Sequence, residues 1–156
     1  MNKIILFFAT LLFSTGAFAI ECNNVSLKGR FSYEVSGVNL FPLPPPNGPL
    51  VTRSTHVVGK VEFDGKGNAT FNGFGSAAGS TAQKTGTGLY AVNPDCTATG
   101  TMNWDGSGGE TSEYWIILDQ MDDRLKPNKA YHANVVVTDN NLHSASGSLT
   151  RFVSKK

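Results

Sequence analysis

Asn93-Pro94-Asp95 stands between two alternating runs rich in threonine, valine and aromatic residues, Gly86 to Val92 and Thr97 to Trp104, with one of only two cysteines at the bend. Proline presets the backbone angle for a turn and aspartate hydrogen-bonds its own main chain, so this stretch reads as strand, tight turn, strand. No later window places apolar residues at helical spacing for long enough to build an amphipathic helix, whereas two-residue alternation recurs along the chain. Seventeen glycines and ten phenylalanines among 156 residues suit turns and strands. The pattern predicts an all-β fold, a single antiparallel up-and-down barrel of about eight strands, with a two-sheet β-sandwich as the alternative. The barrel is favoured because short sequential connections need no long crossover, and closure removes the unpaired edges of a meander.

The first strand is expected from Leu27 to Val38. Residues Leu40 to Leu50 carry prolines at 42, 44, 45, 46 and 49 and read as an extended loop that cannot join a ladder. Further strands are expected over 52–64, 69–77, 83–92, 97–104, 113–118, 130–138 and 144–153. Asp64-Gly65-Lys66-Gly67-Asn68 closes a hairpin, because its glycines accept positive φ. Glu113 to Leu118 is apolar on both faces and reads as a strand covered on each side. Asp119 to Asp123 reads as an acidic bend.

Lys3, the apolar run Ile4 to Phe13 and Ala17-Phe18-Ala19 form the pattern of a secretory leader cleaved after Ala19. Residues 1–19 are therefore expected to be a signal peptide and 20–156 a single barrel domain, secreted or periplasmic, with no membrane span after processing. Cys22 and Cys96 make one even pair in a chain bound for an oxidising space, and a disulfide between them is expected. Lys3 leaves with the leader, so 13 basic side chains fall to 12 against 12 acidic ones. A balanced charge with no basic cluster before Lys155-Lys156 excludes nucleic acid as a partner.

The residues assign no reaction: no catalytic residue, metal ligand or cofactor is expected. His56, His132 and His143 are isolated in sequence, and no Gly-x-Ser-x-Gly elbow appears. Asp119, Asp122, Asp123 and Asp139 lack the spacing of a calcium loop and read as solvated turns. Glu34 and Glu113 would be an acid and base pair only if both faced the interior; the preferred reading turns them to water or to a neighbour such as Arg151 or Lys60.

The segment Gly88 to Thr101 (GLYAVNPDCTATGT), with Cys22, Leu27-Lys28-Gly29 and Phe63-Asp64-Gly65-Lys66-Gly67, resembles small exported bacterial proteins whose barrels look like those of the allene oxide cyclase and calycin groups. Ala98 stands where that family usually has glycine. The resemblance implies the barrel and carries no catalytic residue across.

Eight strands enclose a space that side chains fill or that holds one small ligand. The expected interior residues are Phe31, Tyr33, Phe63, Phe71, Tyr90, Trp104, Tyr114 and Trp115, with Gly59, Gly73, Gly75 and Ala91 on the same walls. The leading expectation is an exported barrel that binds a small hydrophobic ligand in its mouth, with the segment 40–50 as a lid. The alternatives are a protein-interaction or inhibitor module, which would use the Pro-rich loop 40–50 to meet a protein partner, and a cyclase-like isomerase.

Overall fold

A chain rich in glycine and threonine with two-residue periodicity satisfies its backbone most completely in a sheet that has no edge. In the computed structural model, which describes residues 21–42, 49–77, 80–105, 111–122, 129–139 and 143–152, eight strands do this. They are β1 (Gly29–Pro42), β2 (Leu50–Phe63), β3 (Asn68–Ala77), β4 (Ser80–Val92), β5 (Thr97–Trp104), β6 (Thr111–Asp122), β7 (Lys129–Asp139) and β8 (His143–Arg151). Each pairs antiparallel with the next, and β8 returns to β1 with Phe31 opposite Arg151 and Asn39 opposite His143. The result is the closed up-and-down barrel that the sequence predicts. The expected leader, residues 1–19, lies outside the described residues.

Several expected boundaries move: β4 begins three residues early at Ser80, β6 runs on past Leu118 to Asp122, and both ends of β1 shift for identifiable reasons. Leu27 begins no strand; it ends a one-turn helix, α1 (Asn24–Leu27). Asn23 is the cause: its side chain accepts from the Val25 N–H at 2.9 Å, while Ser26 Oγ accepts from the Asn23 N–H at 3.2 Å, a reciprocal cap that starts a helix. At the other end, β1 runs past Leu40 to Pro42, which pairs with Leu50. A proline at a strand terminus forfeits little, since the ladder ends there anyway. Residues 43–48 of the expected loop lie outside the described residues.

The turns follow the expected chemistry. Gly65 and Gly67 have φ of 81° and 112°, and the Asp64 carboxylate that precedes them accepts from the Lys66 N–H, the Asn68 N–H and the Asn68 side-chain amide at 2.6, 3.0 and 2.6 Å. Those donors, led by the Asn68 side chain, hold the Asp64 pKa down at about 2. In the β4–β5 turn, Cys96 takes φ 66°, its N–H meets the Asn93 carbonyl at 3.0 Å, and Asp95 accepts from the Thr97 N–H at 3.0 Å.

One end of the barrel is sealed. Cys22 and Cys96 form the expected disulfide, tying the segment before α1 to the β4–β5 turn. Leu27 is fully buried there. The buried Arg151 guanidinium donates to the carbonyls of Ala130, Lys28 and Ser26 at 2.5, 2.6 and 3.2 Å, and lies 4.5 Å from the centre of the Phe31 ring. No carboxylate is needed, because three oriented carbonyls and a ring face together replace water around the cation. Tyr90 adds a further tie, accepting from the Gly65 N–H at 2.9 Å and donating to the Asn24 carbonyl at 3.2 Å.

Above this lid the core is a chain of aromatic contacts. Phe31 meets Phe63 at 5.7 Å and Phe63 meets Tyr90 at 4.9 Å, both edge to face. Phe71 then meets Tyr33, Tyr114 and Trp104 at 6.4, 6.1 and 6.1 Å. All but the tilted Phe71–Trp104 pair are edge-on, which brings positive ring edges to negative faces and adds about 0.5–1.5 kcal/mol each beyond burial.

Candidate functional site

Seven of the eight expected interior residues are brought together. Phe31, Tyr33, Phe63, Tyr90 and Tyr114 are buried, and Phe71 and Trp104 are half-buried against them. Trp115 is the exception. It is 58% exposed on the outer wall, because strict alternation along β6 sends Ser112, Tyr114, Ile116 and Leu118 inward and Glu113, Trp115 and Ile117 outward. The expectation that this strand is covered on both faces fails for the same reason, with Ile117 59% exposed.

The inward glycines are matched to rings. A Cβ on Gly59 or Gly73 would stand 2.8 or 2.6 Å from the Tyr33 hydroxyl oxygen. One on Gly100 would collide with the Tyr114 phenol, and one on Gly88 would lie 3.1 Å from Phe71. Large against small is how a small barrel fills its taper. Ala91, expected on the same wall, is exposed on the outside.

Toward the end remote from α1 the inward face changes character. It is set by Asn39 on β1, Thr55 and Val57 on β2, Gly73 and Gly75 on β3, Lys84 on β4, Trp104 on β5 and Ser112 on β6. Lys84 pairs in register with Gly73, and its stem lies beside Gly75. Two buried polar atoms here accept or donate no hydrogen bond among the described residues: the Tyr33 hydroxyl and Asn39 Oδ1. Burial raises the Tyr33 pKa to about 12, so the phenol stays protonated and available as a donor. The Tyr114 pKa is also raised, chiefly by burial, but its hydroxyl is engaged, donating to the Leu89 carbonyl at 2.9 Å.

The histidines are less isolated than their spacing implies. Across β1 and β2, Ser36 Oγ lies 2.6 Å from His56 Nδ1, and His56 Nε2 lies 3.7 Å from Glu34 Oε1. Residue types of a hydrolytic triad meet here, but on an exposed convex wall whose backbone N–H groups are committed to the ladders, leaving no oxyanion donors. Glu34 thus pairs with His56 rather than with Arg151 or Lys60, and it faces outward, as does Glu113. Glu34 and Glu113 therefore do not share the interior as an acid and base pair.

Asp119 lies within β6 rather than in an acidic bend. It accepts from His132 at 2.8 Å and from the Asn134 side chain at 3.0 Å. The register between β6 and β7 shifts around Gln120, leaving Asp119 and Tyr131 without register partners. Cross-strand pairs of this kind join residues far apart in the chain, so no local motif announces them; the only sequence trace is a polar residue at alternate positions of each strand. Among the described residues no group of three or more histidine, cysteine or acidic side chains is placed to hold a metal ion, and no helix is long and apolar enough to cross a membrane.

No family model, curated protein or solved structure matches the chain.

Proposed function

We propose that this is an exported barrel that binds a small molecule with an apolar body and a polar head, using the inward face remote from α1. The observation that carries the reading is the Tyr33 hydroxyl, buried beside Gly59 and Gly73 and, among the described residues, without a hydrogen-bond partner. A buried polar atom left unpaired costs roughly 1–3 kcal/mol, and a ligand group that pairs with it would recover that cost on binding. Asn39 Oδ1, also without a partner among the described residues, offers an acceptor on the same strand. Phe71 and Trp104 supply an apolar surface next to Tyr33. Entry is proposed from the end opposite α1, since the helix, the disulfide and Arg151 close the other. The Cys22–Cys96 disulfide fits a periplasmic or extracellular setting, and a leader at residues 1–19 would deliver the chain there.

A titration of the protein with dodecanol and dodecanoic acid, followed by tryptophan emission, tests the reading. Saturable quenching or enhancement that survives in Trp115→Phe, where Trp104 is the remaining indole, is expected. A flat titration with both ligands contradicts it.

A further inference from the structure

The outer wall of β6 and β7 carries a second feature that the barrel interior does not explain. Trp115 is 58% exposed, with Val136 directly opposite and Ile117 two residues along the same face. Ile117 in turn faces Asn134, whose side-chain amide donates to Asp119. Beyond that lie His132, bound to the same carboxylate, and Tyr131, turned outward at the register shift. Bulges re-aim side chains beside functional sites. Here the irregularity places two exposed aromatic rings on either side of a hydrogen-bonded Asp119–His132–Asn134 cluster.

The composition of this strip selects its occupant. Its exposed apolar area is on the order of 400 Å², well under the roughly 800 Å² per partner of a standard protein interface, so a second copy or a folded protein is poorly served. Strand β6 contains no lysine or arginine and β7 carries only Lys129, in register with Asp122 at the strand end, while Glu113 and Asp119 lie on this face, so anionic lipid and nucleic acid are disfavoured. What remains is a neutral partner that is apolar on its faces and rich in hydroxyls at its edges. A pyranose ring has that character: its C–H bonds pack on an aromatic face while its hydroxyls pair with carboxylate, amide and imidazole groups.

We infer that the β6–β7 wall binds a neutral, β-linked polysaccharide chain, stacking sugar rings on Trp115 and Tyr131 and hydrogen-bonding hydroxyls to Asp119, Asn134 and His132. The carboxylate of Asp119 has lone pairs left after accepting from its two neighbours, and those neighbours hold it in one orientation. Trp115 and Asp119 are separated by roughly 13 Å along the strand at about 3.3 Å per residue, so the strip would follow an extended chain rather than enclose a single sugar. This site is independent of the interior one.

Isothermal titration with cellohexaose and with chitohexaose tests the inference. Saturable binding of at least one hexaose is expected, weakened tenfold or more by Trp115→Ala and by Tyr131→Ala. Asp119→Asn should also weaken it, whereas Leu89→Ala, which removes an equally exposed apolar side chain from the outside of β4, should leave it unchanged. Circular dichroism melts of the variants check that the fold is retained. No saturable binding of either hexaose overturns the inference. So does binding that Trp115→Ala and Tyr131→Ala leave intact, or sedimentation showing that Trp115 mediates self-association instead.

Discussion

Tyr33 and Gly73 are fitted to each other: a Cβ on Gly73 would stand 2.6 Å from the Tyr33 hydroxyl oxygen. The phenol lies across the β2–β3 wall only because two inward positions paired across those strands, Gly59 and Gly73, lack side chains. Gly73→Ala should therefore destabilise the fold by about 1–3 kcal/mol through overpacking, read as a lower urea midpoint.

Tyr33 and Tyr114 should respond in opposite ways to the loss of a hydroxyl. Tyr114→Phe removes the bond to the Leu89 carbonyl and should cost about 1 kcal/mol, whereas Tyr33→Phe removes an unpaired buried oxygen and should be neutral or stabilising. Paired denaturation curves decide the order.

Arg151→Met should be among the most damaging single changes. It leaves the carbonyls of Ser26, Lys28 and Ala130 without their donor and uncovers Phe31, for an expected loss of about 3 kcal/mol or more. Arg151→Lys should recover only part of it, since one ammonium cannot reproduce the planar fork.

Asp64 makes stability pH-dependent on the acid side. Its folded pKa, about 2, lies below the ordinary 3.8, so its contribution is complete above about pH 4 and is lost as pH falls through 2. Asp64→Ala should lower the melting temperature at pH 6, and the gap to wild type should shrink between pH 4 and pH 2.

Reduction should loosen the sealed end first. The disulfide spans 74 residues, for which chain entropy alone predicts about 4–5 kcal/mol. Adding reductant, or replacing both cysteines by serine, should lower the denaturant midpoint and expose amides of residues 22–27 to hydrogen exchange before those of the strands.

Much of the wall was legible along the chain, because alternation and turn residues are local signals. Phe31, Tyr33 and Tyr90 show their facing by parity, and Gly65 and Gly67 show their turn. Trp115 was misplaced because EYWIIL is apolar at every position from Tyr114 to Leu118, so composition hides a parity that only the pairing with β5 and β7 reveals. The α1 cap rests on two polar residues, Asn23 and Ser26, too short a signal to stand out beside a following strand. The meetings of Ser36 with His56 and of Asp119 with His132 depend on register between strands, which alternation leaves undetermined by whole two-residue steps. Lys84 looks like any surface lysine until Gly73 is found opposite it.

The Tyr33 hydroxyl, without a partner among the described residues, is the proposed polar anchor of an interior ligand. Native mass spectrometry of the protein incubated with dodecanol and dodecanoic acid reads this most directly. A single bound molecule per chain is expected, with occupancy reduced at least fivefold in Tyr33→Phe although that variant is no less stable than wild type. Equal occupancy in the two proteins, or no bound molecule in either, would contradict it.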